Sequence, residues 1–310
     1  MAHSDTGLNR ESFEANPTGF LEKAIKEYVA QSPGNRLETF GGDPIFDEPL
    51  IGFADGDDTI FQDYKTIIGD FHLTPREVLE KHLVSRNGKQ SIANVSVISF
   101  ILPISQKTRL SMHQETVVAS LRWNHTRWHG QDFINELSRY VVSLLESLDH
   151  QAVAPGLADF FVVKDFPSGR ASNWSERHIA YAAGLGTFSL SDGFITPRGI
   201  AMRCGSVVTD AKLPPSPRPY IDYRANCLFY LDGTCRSCIE RCPAEAISEQ
   251  GHDKNKCKEF IYTKETEILK ELGREEEYIG RFVACGLCQT KVPCEAKIPP
   301  KIPSDNRRKK

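Results

Sequence analysis

The stretch Cys235-Arg-Ser-Cys238-Ile-Glu-Arg-Cys242-Pro243 decides how the C-terminal part of the chain folds. Its C-x2-C-x3-C-P spacing is typical of cysteine thiolates that ligate iron–sulfur clusters. A loop with two cysteines separated by two residues can wrap around one cluster, so that both thiolates bind it. The cysteine before proline lies where the chain leaves that loop, and it can bind a second cluster. The motif therefore predicts two neighbouring clusters.

Eight of the nine cysteines lie between residues 227 and 294, enough thiols for two [4Fe-4S] clusters with four ligands each. In the usual cysteine run of two-cluster ferredoxins the first cysteine would fall on Asp232, and we take Cys227 as its replacement. The cysteine before proline and the last cysteine cross between the two clusters of such proteins. We therefore predict a first set of Cys227, Cys235, Cys238 and Cys294, and a second set of Cys242, Cys257, Cys285 and Cys288.

Other interpretations of the cysteines stay open at this point. A zinc site from Cys235, Cys238, Cys285 and Cys288 fits the spacing C-x2-C…C-x2-C, but it leaves four cysteines and the Cys-Pro pair unexplained. Structural disulfides are a further alternative. Cys204 lies upstream in a strand-like run, where we predict a buried thiol and not a ligand.

The composition is that of an ordinary globular protein. Of the 310 residues, 40% are hydrophobic and 25% are charged, with a formal net charge of -3, so the chain can bury a core and has no global polyanion-binding signal. No export signal is recognisable, and no apolar run approaches the roughly 20 residues that cross a bilayer. We expect a cytoplasmic protein without membrane contact, where clustered thiols favour metal over disulfides.

Residues 1–215 combine helix and strand patterns, which favours the α/β (α+β) class. Apolar spacing predicts helices over residues 20–29 and 133–148, and Thr74-Pro75-Arg76-Glu77 is a helix start with a capping box. Strands are predicted over residues 95–104, 117–123, 160–164 and 202–209. Because strands alternate with helices, we expect a sheet covered by helices.

The proline-rich stretch from Leu213 to Tyr220 predicts a stiff connector. We place a domain boundary there, with an α/β core over residues 1–215 and a cysteine-rich domain over residues 216–310. Within the second domain, apolar spacing over residues 264–284 predicts a helix that delivers Cys285.

A helix of small residues that ends in glycines precedes this boundary: Glu176-Arg-His-Ile-Ala-Tyr181-Ala-Ala-Gly184-Leu-Gly186. Gly184 is placed as a C-cap, and both glycines would allow a bulky ligand to approach the backbone. A helix end with a tight turn explains the same residues equally well.

Together with Thr196-Pro197-Arg-Gly199 and a strand ending in Thr209-Asp210, this segment resembles epoxyqueuosine reductase. That family has an A-x-x-A-G-L-G helix end, a loop ending near P-x-x-G, a strand ending in T-D, and cysteines in runs of four, one and three, as here. The resemblance covers roughly residues 90–298, and the related reductive dehalogenases share the architecture. It implies a nitroreductase-like core that binds a cobamide, followed by a two-cluster ferredoxin-like domain.

The resemblance also implies how the protein works. Electrons from a reduced ferredoxin or flavodoxin would pass through the two clusters to the corrinoid cobalt, which makes the chain an oxidoreductase acting on a small or nucleoside-type substrate. The loop after the small-residue helix would line the corrinoid pocket with Gly184, Leu185, Gly186, Ser189, Thr196, Pro197 and Gly199.

The chain departs from the family where the family carries its acidic proton donor, because Arg170 stands at that offset before Glu176. We therefore take Tyr181, Asp165 and Arg170 as the catalytic candidates, with Arg170 as an anion holder, and His178 as a further acid. The acidic balance of residues 1–215 and the stop soon after Cys294 do not favour tRNA as a partner. The alternatives are a non-catalytic or flavin-linked electron-transfer protein and a zinc-stabilised binding module.

Overall fold

The structure is a computed structural model that describes residues 9–86 and 92–300. The first eight residues, on which part of the export-signal prediction depends, and the basic tail at 307–310 lie outside the described residues. The helices, in chain order, are α1 (Arg10–Ala15), α2 (Pro17–Gln31), α3 (Ile60–Ile67), α4 (Pro75–Ser85), α5 (Gln106–Ser111), α6 (Leu121–Ser147), α7 (Glu176–Ala182), α8 (Leu228–Asp232), α9 (Ser237–Glu240), α10 (Lys254–Glu259) and α11 (Glu265–Glu271).

The strands are short apart from three. They are β1 (Arg36–Leu37), β2 (Asp43–Pro44), β3 (Leu50–Asp55), β4 (Ser96–Pro103), β5 (Ala152–Val153), β6 (Val163–Phe166), β7 (Gly169–Ser172), β8 (Thr187–Phe188), β9 (Phe194–Ile195), β10 (Met202–Thr209), β11 (Ile247–Ser248) and β12 (Gly251–His252). Short 3-10 helices are Pro33–Asn35, Glu38–Phe40, Pro155–Leu157, Glu275–Glu277 and Leu287–Gln289, and a π-helix, Phe260–Lys264, joins α10 to α11.

A four-stranded antiparallel sheet in the order β3-β4-β10-β5 forms the centre. β4 and β10 pair over their full lengths, from Met202 opposite Pro103 to Thr209 opposite Ser96. Every residue of β4 is buried, which fits a strand that is apolar on both faces. This confirms the mixed α/β class and the strands predicted over residues 95–104 and 202–209.

Helices cover both faces of the sheet because the side chains of β4 alternate between them. Ile98 and Phe100 join the core that packs under α2 and α6, whereas Val97 and Ile101 join the core with α3, α4 and α7. The expectation of a sheet covered by helices is therefore confirmed.

Local capping explains where several helices begin and end. The Thr74 hydroxyl accepts from the Glu77 N–H, and the Glu77 carboxylate accepts from the Thr74 N–H, so the predicted capping box starts α4. The Gly184 residue, at φ +75°, closes the C-terminus of α7 as predicted, with Leu185 N–H donating to the Ala180 carbonyl. The predicted apolar stripes fall on α2 and α6.

Three predictions about elements were wrong in part. Residues 117–120 are not a strand, because the Ser120 hydroxyl accepts from Trp123 N–H and caps α6, which then takes up residues 121–123. The strand predicted at residues 160–164 begins only at Val163. The helix predicted over residues 264–284 ends at Glu271, because Gly273 at φ +63° turns the chain away. Cys285 is therefore delivered by a loop.

The cysteine-rich part packs against α6, the longest helix described. Asn124 donates to the carbonyls of Ile279 and Val283 and accepts from Ile279 N–H at 2.8 Å. Trp123 Nε1–H donates to the Cys285 carbonyl at 3.0 Å. The division into domains at residues 215 and 216 stays a prediction. No helix in the described ranges is long and apolar enough to span a membrane.

Candidate functional site

The four cysteines of the predicted first set line one small cavity, together with apolar side chains such as Ile200 and Val292. Cys227 lies at the start of α8, and Cys238 lies within α9. Burial, followed by the neighbouring thiols, raises the pKa of Cys238 to about 12 and that of Cys294 well above its ordinary range. We call these residues the first thiol set.

The predicted second set also converges. Burial is the main cause that raises the pKa of Cys288 well above its ordinary value. The charges of the neighbouring thiolates of Cys285, Cys257 and Cys242 raise it further. Burial and then Cys242 raise the pKa of Cys257 to about 11. Cys238 is also close enough to affect Cys288, so the two sets are neighbours. We call Cys242, Cys257, Cys285 and Cys288 the second thiol set.

Within residues 9–86 and 92–300, no three His, Cys, Asp or Glu side chains lie close enough together to share one metal ion. A cluster of several irons holds its thiolates further apart than a single ion does, so this finding leaves both thiol sets as cluster candidates. Four thiols per set is the donor set of a [4Fe-4S] cluster. Buried thiolates that repel one another also need a nearby positive charge, which metal supplies.

A close backbone approach holds the last cysteine of the first thiol set. Ile200 N–H donates to the Cys294 carbonyl at 2.8 Å, and Ala201 N–H donates to the Glu295 carbonyl. Gly199, at φ +88°, faces the same segment so closely that an added Cβ would lie 2.1 Å from the Glu295 oxygen. Only glycine fits this position without displacing the segment that carries Cys294.

A cavity of about 760 Å³ lies between α6, α7 and the start of β10. We call it the main cavity. Its volume falls within the range of sites for small ligands and cofactors. Its wall contains apolar side chains such as Ile134 and Phe161 beside a small number of charged ones. The charged residues are Arg127, Glu176, Arg177 and Arg203.

Glu176, the first residue of α7, is the acidic residue of this wall. Its Oε2 atom is inaccessible to solvent and has no hydrogen-bond partner. Burial raises the pKa of Glu176 to about 7, and a contact with the Ser206 hydroxyl opposes that shift. Trp174 Nε1–H donates to the same hydroxyl at 2.9 Å, which holds Ser206 in place. Glu176 can therefore carry a proton at neutral pH.

The main cavity adjoins the second thiol set through a smaller space. A cavity of about 210 Å³, the connecting cavity, is lined by Cys285, Tyr262 and Phe282. The two cavities share four wall residues, which are Arg127, Met202, Arg203 and Gln289. A ligand in the main cavity would thus lie beside the connecting cavity, whose wall includes Cys285.

The predicted catalytic residues are not brought to these cavities. Asp165 and Arg170 face each other across the β6–β7 hairpin, and Lys258 Nζ lies 2.9 Å from Asp165. Hydrogen bonds from Arg170 and Lys258 lower the pKa of Asp165 to about 2, so it is an ionised surface group. The Tyr181 hydroxyl points to the Tyr220 carbonyl at 3.5 Å, and burial raises its pKa. All three lie outside the walls of the main and connecting cavities.

The predicted corrinoid-contacting residues do not line the main cavity either. Added Cβ atoms at Gly184 and Gly186 would meet the Pro217 and Ile195 carbonyls, so the chain itself occupies that space. Leu185 joins the core beside α7, and Thr196 Oγ1 donates to the Gly199 carbonyl. Pro197 is exposed in that turn, and Ser189 lines the first thiol set's cavity. Their contact with a corrinoid stays a prediction.

Sequence reasoning missed the residues that line the main cavity. One signal was available, because Arg127, Gln131, Asn135 and Ser138 recur at helical spacing along α6 and so share one face of it. Arg203 is a charged residue at the start of a buried central strand, which is also unusual. Neither pattern shows from sequence that the two elements face one cavity.

The fold and the site together define an α/β protein with two neighbouring four-thiol sets, the second of which adjoins a cavity of ligand size. Comparison with known proteins specifies the resemblance. No family model matches the chain. Epoxyqueuosine reductases from Bacillus anthracis and Bacillus cereus are each 33% identical to it over 122 residues, which is 38% of this chain and 29% of each relative. The predicted resemblance to epoxyqueuosine reductases is confirmed, although the match spans less than a third of the relatives' length.

Solved structures of the same kind of protein are more distantly similar. An epoxyqueuosine reductase in complex with an epoxyqueuosine-modified tRNA stem loop has a TM-score of 0.45 and 19% identity, covering 89% of this chain and 65% of that one. A catabolic reductive dehalogenase in complex with 3-bromo-4-hydroxybenzoic acid has a TM-score of 0.47 and 15% identity, covering 81% of this chain and 30% of that one. These scores are too low to define function.

Proposed function

We propose that the protein is an iron–sulfur oxidoreductase of the epoxyqueuosine reductase type, with a cobamide in the main cavity. The observation that carries this proposal is the position of the second thiol set, whose Cys285 lines the connecting cavity beside the main cavity. The similarity to curated epoxyqueuosine reductases supports the same class. The thiol sets would hold two [4Fe-4S] clusters, and the wall of the main cavity would hold the cobamide.

When bound, the clusters would supply single electrons and the cobamide a strongly reducing cobalt centre for the substrate. The protein's own residues perform the remaining tasks. The thiol sets are neighbours, which suits electron entry at the first set from a reduced ferredoxin or flavodoxin and exit at the second. Trp123 and Asn124 hold the loop that carries Cys285 against α6.

Within the main cavity, Glu176 is our candidate proton donor, in place of Tyr181 and Asp165. Glu176 lines the cavity, one of its carboxyl oxygens is buried without a hydrogen-bond partner, and burial raises its pKa to about 7. A proton held at Glu176 can be given to a substrate that becomes negatively charged on reduction. Asp165 cannot do this at neutral pH, because its ion pairs keep it ionised.

Two classes of substrate are candidates, a small molecule and a nucleoside. The volume of the main cavity suits either class. The acidic balance of residues 1–215 does not favour tRNA, but the curated relatives are epoxyqueuosine reductases, so we propose a modified tRNA nucleoside as a substrate to be tested. A flavin-linked or non-catalytic electron-transfer protein is the second candidate function.

The test is an anaerobic preparation analysed for iron, sulfide and zinc, and then titrated with hydroxocobalamin while the visible spectrum is recorded. We expect about eight irons per chain and a shifted corrinoid spectrum. Eight irons per chain without corrinoid binding would refute the cobamide assignment and favour the electron-transfer alternative. Stoichiometric zinc without sulfide would refute the redox proposal altogether and select the binding module.

A further inference from the structure

Two arginine side chains from different elements meet at the junction of the main and connecting cavities. Arg127 extends from α6 and Arg203 from the start of β10. Each of the two side chains lines the main cavity and the connecting cavity. They lie close enough that the charge of Arg127 disfavours the charged state of Arg203. The junction is therefore a place where the fold concentrates positive charge.

Neither guanidinium has a counter-ion in the part of the chain that the structure describes. Among the described residues, no carboxylate lies within ion-pair distance of Arg127 or Arg203. The Nε atom of Arg203 is inaccessible to solvent and lacks an acceptor, while its Nη2 donates to Gln131 Oε1 at 2.6 Å. Arg127 lies 5.6 Å and 5.5 Å from the ring centroids of Trp128 and Phe282. Burial followed by the charge of Arg127 lowers the pKa of Arg203 to about 9.

Glu176 does not serve as the missing counter-ion, although it lines the same main cavity. Burial raises the pKa of Glu176 and the Ser206 hydroxyl opposes that shift, but no arginine contributes to it. Arg177, the remaining charged group of the wall, is largely exposed and donates to the Asp192 carbonyl. With Glu176 ionised, the three arginines still leave the wall positively charged.

The fold neutralises a buried arginine elsewhere, which makes this pair unusual. Arg109 is buried, donates to the Ile104 carbonyl at 2.6 Å, and lies 3.7 Å from Asp47 and 3.6 Å from Glu295. Two adjacent half-buried cations without such partners repel one another, and an anion between them would relieve that repulsion.

We propose that Arg127 and Arg203 form an anion site that binds a phosphate group of the ligand in the main cavity. Guanidinium groups donate paired hydrogen bonds to phosphate oxygens, and two of them can hold one phosphate from two sides. The phosphate can belong to the nucleotide part of a cobamide or to the substrate. The anion site itself does not depend on the proposed reductase function, whereas the first of these sources does.

The experiment measures binding of inorganic phosphate by the rise of the melting temperature of the purified protein, against chloride at matched ionic strength. We expect saturable stabilisation of the wild type, and an apparent affinity at least about tenfold lower in Arg203→Gln and Arg127→Gln. The exposed Arg10, paired with Asp149, provides the control Arg10→Gln, which should behave as the wild type. In chloride, Arg203→Gln should melt no lower than the wild type, since it removes an uncompensated cation.

Two corrinoids distinguish the sources, because hydroxocobalamin carries a nucleotide phosphate and cobinamide does not. If the cofactor supplies the phosphate, Arg203→Gln weakens binding of hydroxocobalamin about tenfold or more and leaves cobinamide unchanged. If the substrate supplies the phosphate, each corrinoid binds the wild type and Arg203→Gln with the same affinity, while the variant still loses the binding of inorganic phosphate.

Failure of this proposal can be told apart from failure of the proposed function. Phosphate binding that depends on Arg203, without any corrinoid binding, would leave the anion site standing and remove the cobamide. Stabilisation by phosphate no greater than by chloride, with hydroxocobalamin binding unchanged in both arginine variants, would overturn the anion site.

Discussion

Burial decides which carboxyl group of this protein can hold a proton at neutral pH. Asp165 is exposed between Arg170 and Lys258, whose hydrogen bonds lower its pKa to about 2. Glu176 lies on the wall of the main cavity, where burial raises its pKa to about 7. An unpaired carboxyl in a cavity therefore suits proton donation better than an acid in an exposed ion pair.

Replacement of Glu176 by Gln should stabilise the folded protein at alkaline pH. The folded-state pKa of about 7 lies above the ordinary value of 4.5, so the native state holds its proton longer and its stability falls as pH rises between these values. We expect Glu176→Gln to raise the free energy of unfolding by about 1–3 kcal/mol near pH 8 relative to the wild type, and by much less below about pH 4.5.

Denaturant unfolding of both proteins near pH 4.5 and near pH 8 measures this difference. The exposed Glu14 offers a matched control, and Glu14→Gln should show no comparable pH dependence. An equal effect of Glu176→Gln at both pH values would contradict the raised pKa. In turnover assays, Glu176→Gln should lower the rate about 100-fold or more if the carboxyl donates the proton.

Cysteine substitution tests the crossed assignment of the thiols. Cys242→Ser should remove about four irons and leave the cluster of the first thiol set, because Cys242 lies with Cys257 and Cys288. Iron and sulfide analysis with electron paramagnetic resonance measures the loss. Cys204→Ser is the control, since Cys204 lies on the wall of the main cavity, away from both sets, and should keep both clusters. A Cys242→Ser protein with both clusters intact would refute the assignment.

At the scale of elements, β10 connects the two halves of the site. The residues just before it bond to the segment of Cys294, and its first residues line the main cavity. Gly199 permits this arrangement, since any side chain at its φ of +88° would strike the Glu295 carbonyl. The turn and the strand together determine where the first thiol set lies relative to the sheet.

Gly199→Ala should therefore displace the Cys294 segment and lower iron content toward about four per chain, with loss of the first cluster. The matched control is Gly233→Ala, because Gly233 has a φ of +70° with open space around it. The control carries only the backbone cost of roughly 1–2 kcal/mol and should keep both clusters. Retention of full iron content by Gly199→Ala would show that the close approach is not needed.

At the scale of the whole molecule, α6 links the sheet, the main cavity and the second thiol set. Its first turn holds the loop before Cys285 through Trp123 and Asn124, and its next turns supply the cavity wall. Since one helix does both, the position of the second thiol set relative to the cavity depends on the anchoring of that loop.

Asn124→Ala should destabilise the protein by about 2–4 kcal/mol, because it leaves the Ile279 N–H and the carbonyls of Ile279 and Val283 without their partner. We also expect the second cluster to be lost more readily on exposure to air. Asn135→Ala, on the same helix, loses a single bond to Gln131 and should cost less than about 1.5 kcal/mol. Thermal unfolding and iron release rates measure both, and equal costs for the two variants would contradict the anchoring role.

Local chemistry written in the sequence determined several features of this protein. The cysteine spacing predicted which thiols converge, because short intervals and the Cys-Pro pair restrict the path of the backbone. The capping box at Thr74 and the glycine end of α7 were predicted for the same reason, since both depend on neighbours within a few residues. The two long strands, β4 and β10, were predicted from β-like runs over residues 95–104 and 202–209.

Only the tertiary structure decided where the chemistry of the main cavity lies. Residues 117–120 read as a strand, yet the Ser120 cap and the packing of Trp123 begin a helix close by. Glu176, Arg127 and Arg203 are ordinary charged residues in sequence, and they become unusual only when α6, α7 and β10 bring them to one cavity and partly shield them from water. Desolvation depends on what surrounds a group in space, and residues far apart along the chain supply that surrounding.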